Sequence, residues 1–142
     1  MLKFSIVGRI IAIDYGKKRT GIAVTDALQI IASGLTTVAT DELKSFLLDY
    51  VEKEEVDLIL IGKPKQLDNT PSESESLIAT FVEELEKLLP NIPLKRIDER
   101  FTSKIAMQTM LEGGLKRKQR RNKALVDEIS ATIILQSYLY NK

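Results

Sequence analysis

The chain has 142 residues, with 21 Lys and Arg against 20 Asp and Glu, and neither histidine nor cysteine. That length suits one domain (1–142) with a real core. The composition excludes disulfides, thiolate zinc sites, cysteine nucleophiles, Ser-His-Asp catalysis and His-ligated metals, and leaves oxygen donors of the kind that suit Mg2+ or Mn2+.

Residues 1–8 are short, lack a small-residue cleavage site and run directly into an apolar stretch. They read as a short N-terminal extension rather than a signal peptide, and no apolar run is long enough to span a bilayer. The expected compartment is the cytoplasm. Residues 9–14 (Arg-Ile-Ile-Ala-Ile-Asp) read as a buried strand that ends in a carboxylate. Residues 20–25 read as a second strand, joined to the first through a turn carrying Lys17, Lys18 and Arg19 between two glycines. Residues 30–39 form a third strand interrupted at Gly34. Thr40 is expected to cap a helix with Leu43, Phe46, Leu47, Tyr50 and Val51 at helical spacing.

Residues 56–61 (Val-Asp-Leu-Ile-Leu-Ile) read as an interior parallel strand ending at Gly62. After a polar loop, Thr70 or Ser72 starts a helix carrying Leu77, Ile78, Phe81, Val82 and Leu85, which Pro90 stops. Residues 92–99 make a fifth strand. Thr102 caps a helix over about 103–111, which Gly113-Gly114 breaks, and residues 123–140 form the last helix. The order predicts an α/β fold with a five-stranded mixed sheet flanked by helices.

Three acids stand where apolar residues are expected. On the first strand Ile10, Ala12 and Asp14 share one face, so Asp14 is last in line on a packed side. On the fifth, Lys95, Ile97 and Glu99 alternate with Leu94, Arg96 and Asp98, and either acid could point inward; Glu99, sharing a face with Ile97, is preferred. On the last helix Asp127, Ala131, Ile134 and Tyr138 form one stripe, which Asp127 opens. Strand ends of an open α/β sheet gather at one edge, where ligands bind. Carboxylates converging there repel one another unless divalent cations neutralise them. Two such cations about 4 Å apart would activate a water and stabilise the leaving oxygen of a phosphodiester. Structural use of each acid, as a cap or half of a salt bridge, is the competing reading.

Phosphate-binding cations are available nearby. Lys116, Arg117, Lys118, Arg120, Arg121 and Lys123 put six cations into eight residues just before Asp127. With Lys17, Lys18 and Arg19 they would supply salt-sensitive, sequence-independent affinity for a nucleic-acid backbone. Tyr15 and Phe101 flank the acids and could stack on a base; for Phe101, core packing is the stronger reading.

Five segments then carry a resemblance: Ile13-Asp14-Tyr15-Gly16, Thr20-Gly21-Ile22-Ala23-Val24, Ile61-Gly62-Lys63-Pro64, Asp98-Glu99-Arg100-Phe101-Thr102 and Val126-Asp127-Glu128-Ile129-Ser130-Ala131. In this order the chain resembles the YqgF (RuvX) family from about Arg9 to Tyr138. Its members are described as Holliday-junction resolvases and as nucleases maturing the precursor of 16S ribosomal RNA. The resemblance implies a ribonuclease H-like fold whose second strand is antiparallel, with Asp14, Glu99 and Asp127 as catalytic and metal-binding acids. Arg100 then contacts phosphate or holds Glu99. The chain departs from the family at Gln66 and Asn69, in the loop after Gly62.

The expected function is a metal-dependent endonuclease processing the 5′ end of precursor 16S rRNA. Four-way DNA is the alternative substrate, and a non-catalytic nucleic-acid binding module the alternative of another class. An actin-like phosphotransferase shares the first Asp-x-Gly hairpin but needs two lobes, which this length does not supply. A monomer or a homodimer fits the sequence equally.

Overall fold

The computed structural model describes residues 8–64, 74–99 and 123–140. Five strands, β1 (Arg9–Asp14), β2 (Arg19–Thr25), β3 (Ala32–Ala39), β4 (Val56–Lys63) and β5 (Leu94–Asp98), form one sheet in the order β3-β2-β1-β4-β5. β2 pairs antiparallel with β1 and β3, whereas β1, β4 and β5 run parallel. The helices are α1 (Leu43–Lys53), α2 (Glu75–Leu88) and α3 (Lys123–Tyr140).

Strand alternation divides the core into two layers. Ile11, Ile13, Ile59 and Ile61 point to one face, where they meet Leu43 and Leu47 of α1 and Ile78, Phe81 and Leu85 of α2. Ile10, Ala12, Ala23 and Leu60 point to the other and meet Ala131, Ile134 and Leu135 of α3. The second layer is built on small residues. Ala12 faces Ala23 across the β1–β2 ladder, and Asp14 faces Gly21. A helix can therefore lie close against the sheet. At Gly21 the approach is to the backbone itself: an added Cβ would collide with the Asp127 carbonyl.

The structure shifts several expected boundaries, each for a local reason. β3 starts at Ala32 instead of 30, because the Asp26 carboxylate accepts the Ile30 and Ile31 N–H groups, both at 2.8 Å, and closes a turn with Gln29 at φ 59°. Thr40 does not cap α1. A 3-10 turn, Thr40–Glu42, precedes the helix, and the Thr40 hydroxyl donates instead to the Gly16 carbonyl at 2.6 Å, bracing the β1–β2 turn. β4 does not stop before Gly62; pairing continues through Gly62 with Ile97 and Lys63 with Asp98. β5 is shorter than 92–99, since Pro93 has no N–H and Ile92 donates back to Leu89. The expected starts of α2 at 70 or 72 and the helix 103–111 lie outside the described residues.

Arg96 ties α2 to the sheet. Its guanidinium grips the Glu75 carboxylate at 2.7 and 3.0 Å and donates to the carbonyls of Gly62 at 2.9 Å and Ile61 at 3.3 Å. Both side chains are mostly buried, at 23% and 17% exposure, so the pair belongs with those whose disruption is expensive. Arg96→Ala is expected to destabilise the protein by about 3 kcal/mol in urea unfolding. A loss below about 0.5 kcal/mol would reduce the pair to an ordinary surface contact.

Candidate functional site

The C-terminal ends of β1, β4 and β5 lie at one edge of the sheet, and the acids are built there. Asp14 is the last residue of β1, on the α3 face in line with Ile10 and Ala12. Glu99 follows β5, and its N–H donates to the Lys63 carbonyl at 3.1 Å, which carries the β4–β5 ladder one step further. Its side chain folds over Gly62. A Cβ at that position would overlap the Glu99 carboxyl group, so only glycine leaves the space. From there Glu99 is hydrogen-bonded to Asp14. Asp98, which pairs with Lys63 across the ladder, is exposed.

The electrostatics follow from that packing. Burial raises the Asp14 carboxyl to about 6; the bond with Glu99 pulls it down and the charge on Asp127 pushes it up. Glu99 rises to about 9, first through burial and then through the Asp14 charge and their shared hydrogen bond, with Arg96 opposing. Near neutral pH the pair thus retains one proton, shared in the hydrogen bond between Glu99 and Asp14. Two carboxyl groups held face to face in this way suit a hard divalent cation, which can replace the shared proton with a stronger counter-charge.

Asp127 sits in the first part of α3, with Ala131 and Ile134 of the same stripe buried against the sheet. Its backbone rests on Gly21, opposite Asp14 in the ladder. Its carboxylate accepts from Arg19 Nε at 3.1 Å. Among the described residues, no three acids stand close enough to hold one metal ion jointly. Asp14 and Glu99 are directly together, and Asp127 acts on Asp14 through its charge while paired to Arg19.

The cations divide similarly. Lys17 and Lys18 are exposed at the tip of the β1–β2 turn, while Arg19 is turned onto Asp127. Lys123 begins α3. Arg100, Lys116, Arg117, Lys118, Arg120 and Arg121 lie outside the described residues, as does Phe101. Tyr15 packs its ring on Phe81 with centroids 5.1 Å apart, on the opposite sheet face from Asp14. Sequence reasoning passed over Arg96 and the contact role of Gly21 and Gly62. An arginine within a five-residue strand was the available signal for the first. For the glycines there was only their position at strand ends beside the acids.

Residues 8–141 match the family described as "RuvX: Holliday junction resolvase". A relative from Phocaeicola vulgatus is 64% identical over 136 residues, 96% of this chain and 98% of its own. Another from Christiangramia forsetii is 61% identical over 134 residues, 94% and 99% of the two chains. Both carry the name "Putative pre-16S rRNA nuclease". Among solved structures, Thermus thermophilus RuvC in complex with a Holliday junction substrate aligns with a TM-score of 0.54 at 16% identity, over 94% of each chain. A second structure of Thermus thermophilus RuvC gives the same TM-score at 14% identity. At such identity the likeness concerns the fold, which is ribonuclease H-like, with a five-stranded mixed sheet and flanking helices.

Proposed function

From the RuvX family, to which this chain belongs over residues 8–141, we propose a substrate and a chemistry for what is a nuclease: metal-dependent endonucleolytic cleavage of precursor 16S ribosomal RNA. The observation that carries the chemistry is the Asp14–Glu99 pair, two partly buried carboxyl groups sharing a hydrogen bond at the ligand-binding edge of the sheet. The substrate follows the names of relatives that share well over half their residues with this chain.

Asp14 and Glu99 would hold Mg2+ or Mn2+, with Asp127 as the third acid. Bound there, a divalent cation supplies a water of lowered pKa and a counter-charge for the leaving oxygen. The protein's own part is positional. β1 and the β4–β5 ladder fix the two carboxyl groups relative to each other, and α3 brings Asp127 to the same edge through its contact with Gly21. To hold such a cation the pair would release its shared proton. Lys17 and Lys18, exposed at the tip of the β1–β2 turn, would draw in the phosphate backbone without reading bases, as would Arg100, Lys116, Arg117, Lys118, Arg120, Arg121 and Lys123. The compartment that fits this substrate is the cytoplasm.

The family description favours a second reading, resolution of four-way DNA, which presents the same backbone to the same acids. A resolvase makes paired nicks and would act as a homodimer, whereas RNA trimming needs only a monomer. Side-by-side cleavage of a labelled 16S precursor fragment and a four-way DNA junction, in Mg2+ or Mn2+, separates the two. Preferential metal-dependent cutting of the RNA is expected. Preference for the junction would move the substrate to DNA. Salt-sensitive binding of both with cutting of neither would leave a binding module.

A further inference from the structure

Arg19 and Asp127 lie 108 residues apart in sequence, yet both are anchored close to their contact. Arg19 opens β2, in register with Ala39 of β3, and its carbonyl lies against Gly16 in the braced turn. Asp127 is anchored through its own backbone on Gly21. The Nε–Oδ2 distance is 3.1 Å, and the side chains remain 40% and 25% exposed. Pairs of that exposure contribute little to folding. This one stands, however, on an acid whose charge is felt by Asp14. A guanidinium keeps its charge at every relevant pH and binds carboxylate and phosphate with the same fork. The contact therefore places a fixed monovalent cation on an oxygen that a divalent cation would use.

We propose that Arg19 is the resident counter-ion of the acidic site, held on Asp127 in the metal-free protein and released toward the substrate's phosphate backbone when a divalent cation takes that carboxylate. This rests on the reading that the acids hold divalent cations. Metal reaching Asp127 must displace the Arg19 guanidinium. A phosphate that accepts the released guanidinium lowers the cost of that displacement. Substrate and metal therefore bind cooperatively, each raising the affinity of the other by the same factor.

The test is Mn2+ binding to chelator-stripped full-length protein, read as free Mn2+ by electron paramagnetic resonance, for the wild type, Arg19→Gln, Arg19→Lys and Asp14→Asn. Arg19→Gln is expected to bind Mn2+ about fivefold more tightly than wild type. Arg19→Lys, which keeps a charge without the fork, should fall between them. Melting temperature supplies a second readout: Arg19→Gln should gain more from saturating Mn2+ than the wild type does. A purely structural arginine would instead lower the melting temperature equally with and without metal. Equal or weaker Mn2+ binding by Arg19→Gln overturns the counter-ion role and leaves the metal site standing, provided that Asp14→Asn weakens binding. Should Arg19→Gln not fold, equal or weaker binding by Arg19→Lys overturns it in the same way. If the wild type takes up no Mn2+, both the counter-ion role and the metal reading fail together.

Discussion

Asparagine at position 14 is expected to cost roughly a thousandfold in metal-dependent cleavage, the scale of losing a group that acts on charge in the transition state. It should also make the metal-free protein more stable. The second half follows from linkage. Asp14 and Glu99 have folded values raised to about 6 and about 9, above the usual carboxylate range. Between those ranges the folded state binds more protons than the unfolded chain, so the stability these groups contribute is fully present below a pH of about 4. It is lost as pH rises through about 6 and then about 9. In chelator, the wild-type melting temperature should therefore fall between these two values. Asp14→Asn removes one of the two facing charges and flattens that slope. At pH near 8 the variant should be more stable by about 1–2 kcal/mol, or some 3–6 °C. Saturating Mn2+ should reverse the order, because only the wild type then gains the full binding energy. A wild-type melting temperature that climbs with pH in chelator would mean that the carboxyl groups do not face one another as described.

Gly62→Ala should separate folding from chemistry. The new methyl group would land on the Glu99 carboxyl, which belongs to a flexible side chain and can swing aside. The three atoms nearest the new methyl group all belong to that side chain, so the melting temperature should shift by only a few degrees, about 1 kcal/mol or less. Cleavage should drop about a hundredfold, since a misplacement of about 1 Å at a reacting group has that effect. The same change at Gly21 has the opposite character. There the methyl group meets the backbone of Asp127 and Glu128, α3 has to move, and a loss of about 3 kcal/mol is expected. Gly62→Ala with full activity would show that Glu99 has no need of its place over Gly62. A variant that unfolds would show that the clash is not confined to a side chain.

Much of this molecule can be read from local pattern. The apolar run ending in Asp14 specifies a buried strand, because alternation puts Ile10 and Ala12 on the face that carries the acid. The stripe of Asp127, Ala131, Ile134 and Tyr138 likewise specifies how α3 lies, since an apolar face has to be buried. Local pattern left Asp98 and Glu99 both open, and the preference for Glu99 leaned on the family resemblance; in the structure Glu99 lies over Gly62, and Ile97, on the same strand face, packs with the α3 layer. Boundaries were less legible where a side chain replaced a ladder bond, as Asp26 does for Ile30 and Ile31, or where a glycine at position 62 continued a strand it was expected to end.

Sequence by itself, then, determined that oxygen donors stand in for absent thiolates and imidazoles, the two faces of the sheet, and that Asp14 and Asp127 stand at the ends of apolar rows. These depend on residue type and on periods of two and 3.6, which are local properties. Tertiary structure alone decided that Glu99 reaches Asp14 across the bare backbone of Gly62, that Arg96 holds that backbone, and that Arg19 meets Asp127. Those contacts depend on register between segments far apart in the chain. A local pattern says which way a side chain points; the packed neighbours decide what it meets there.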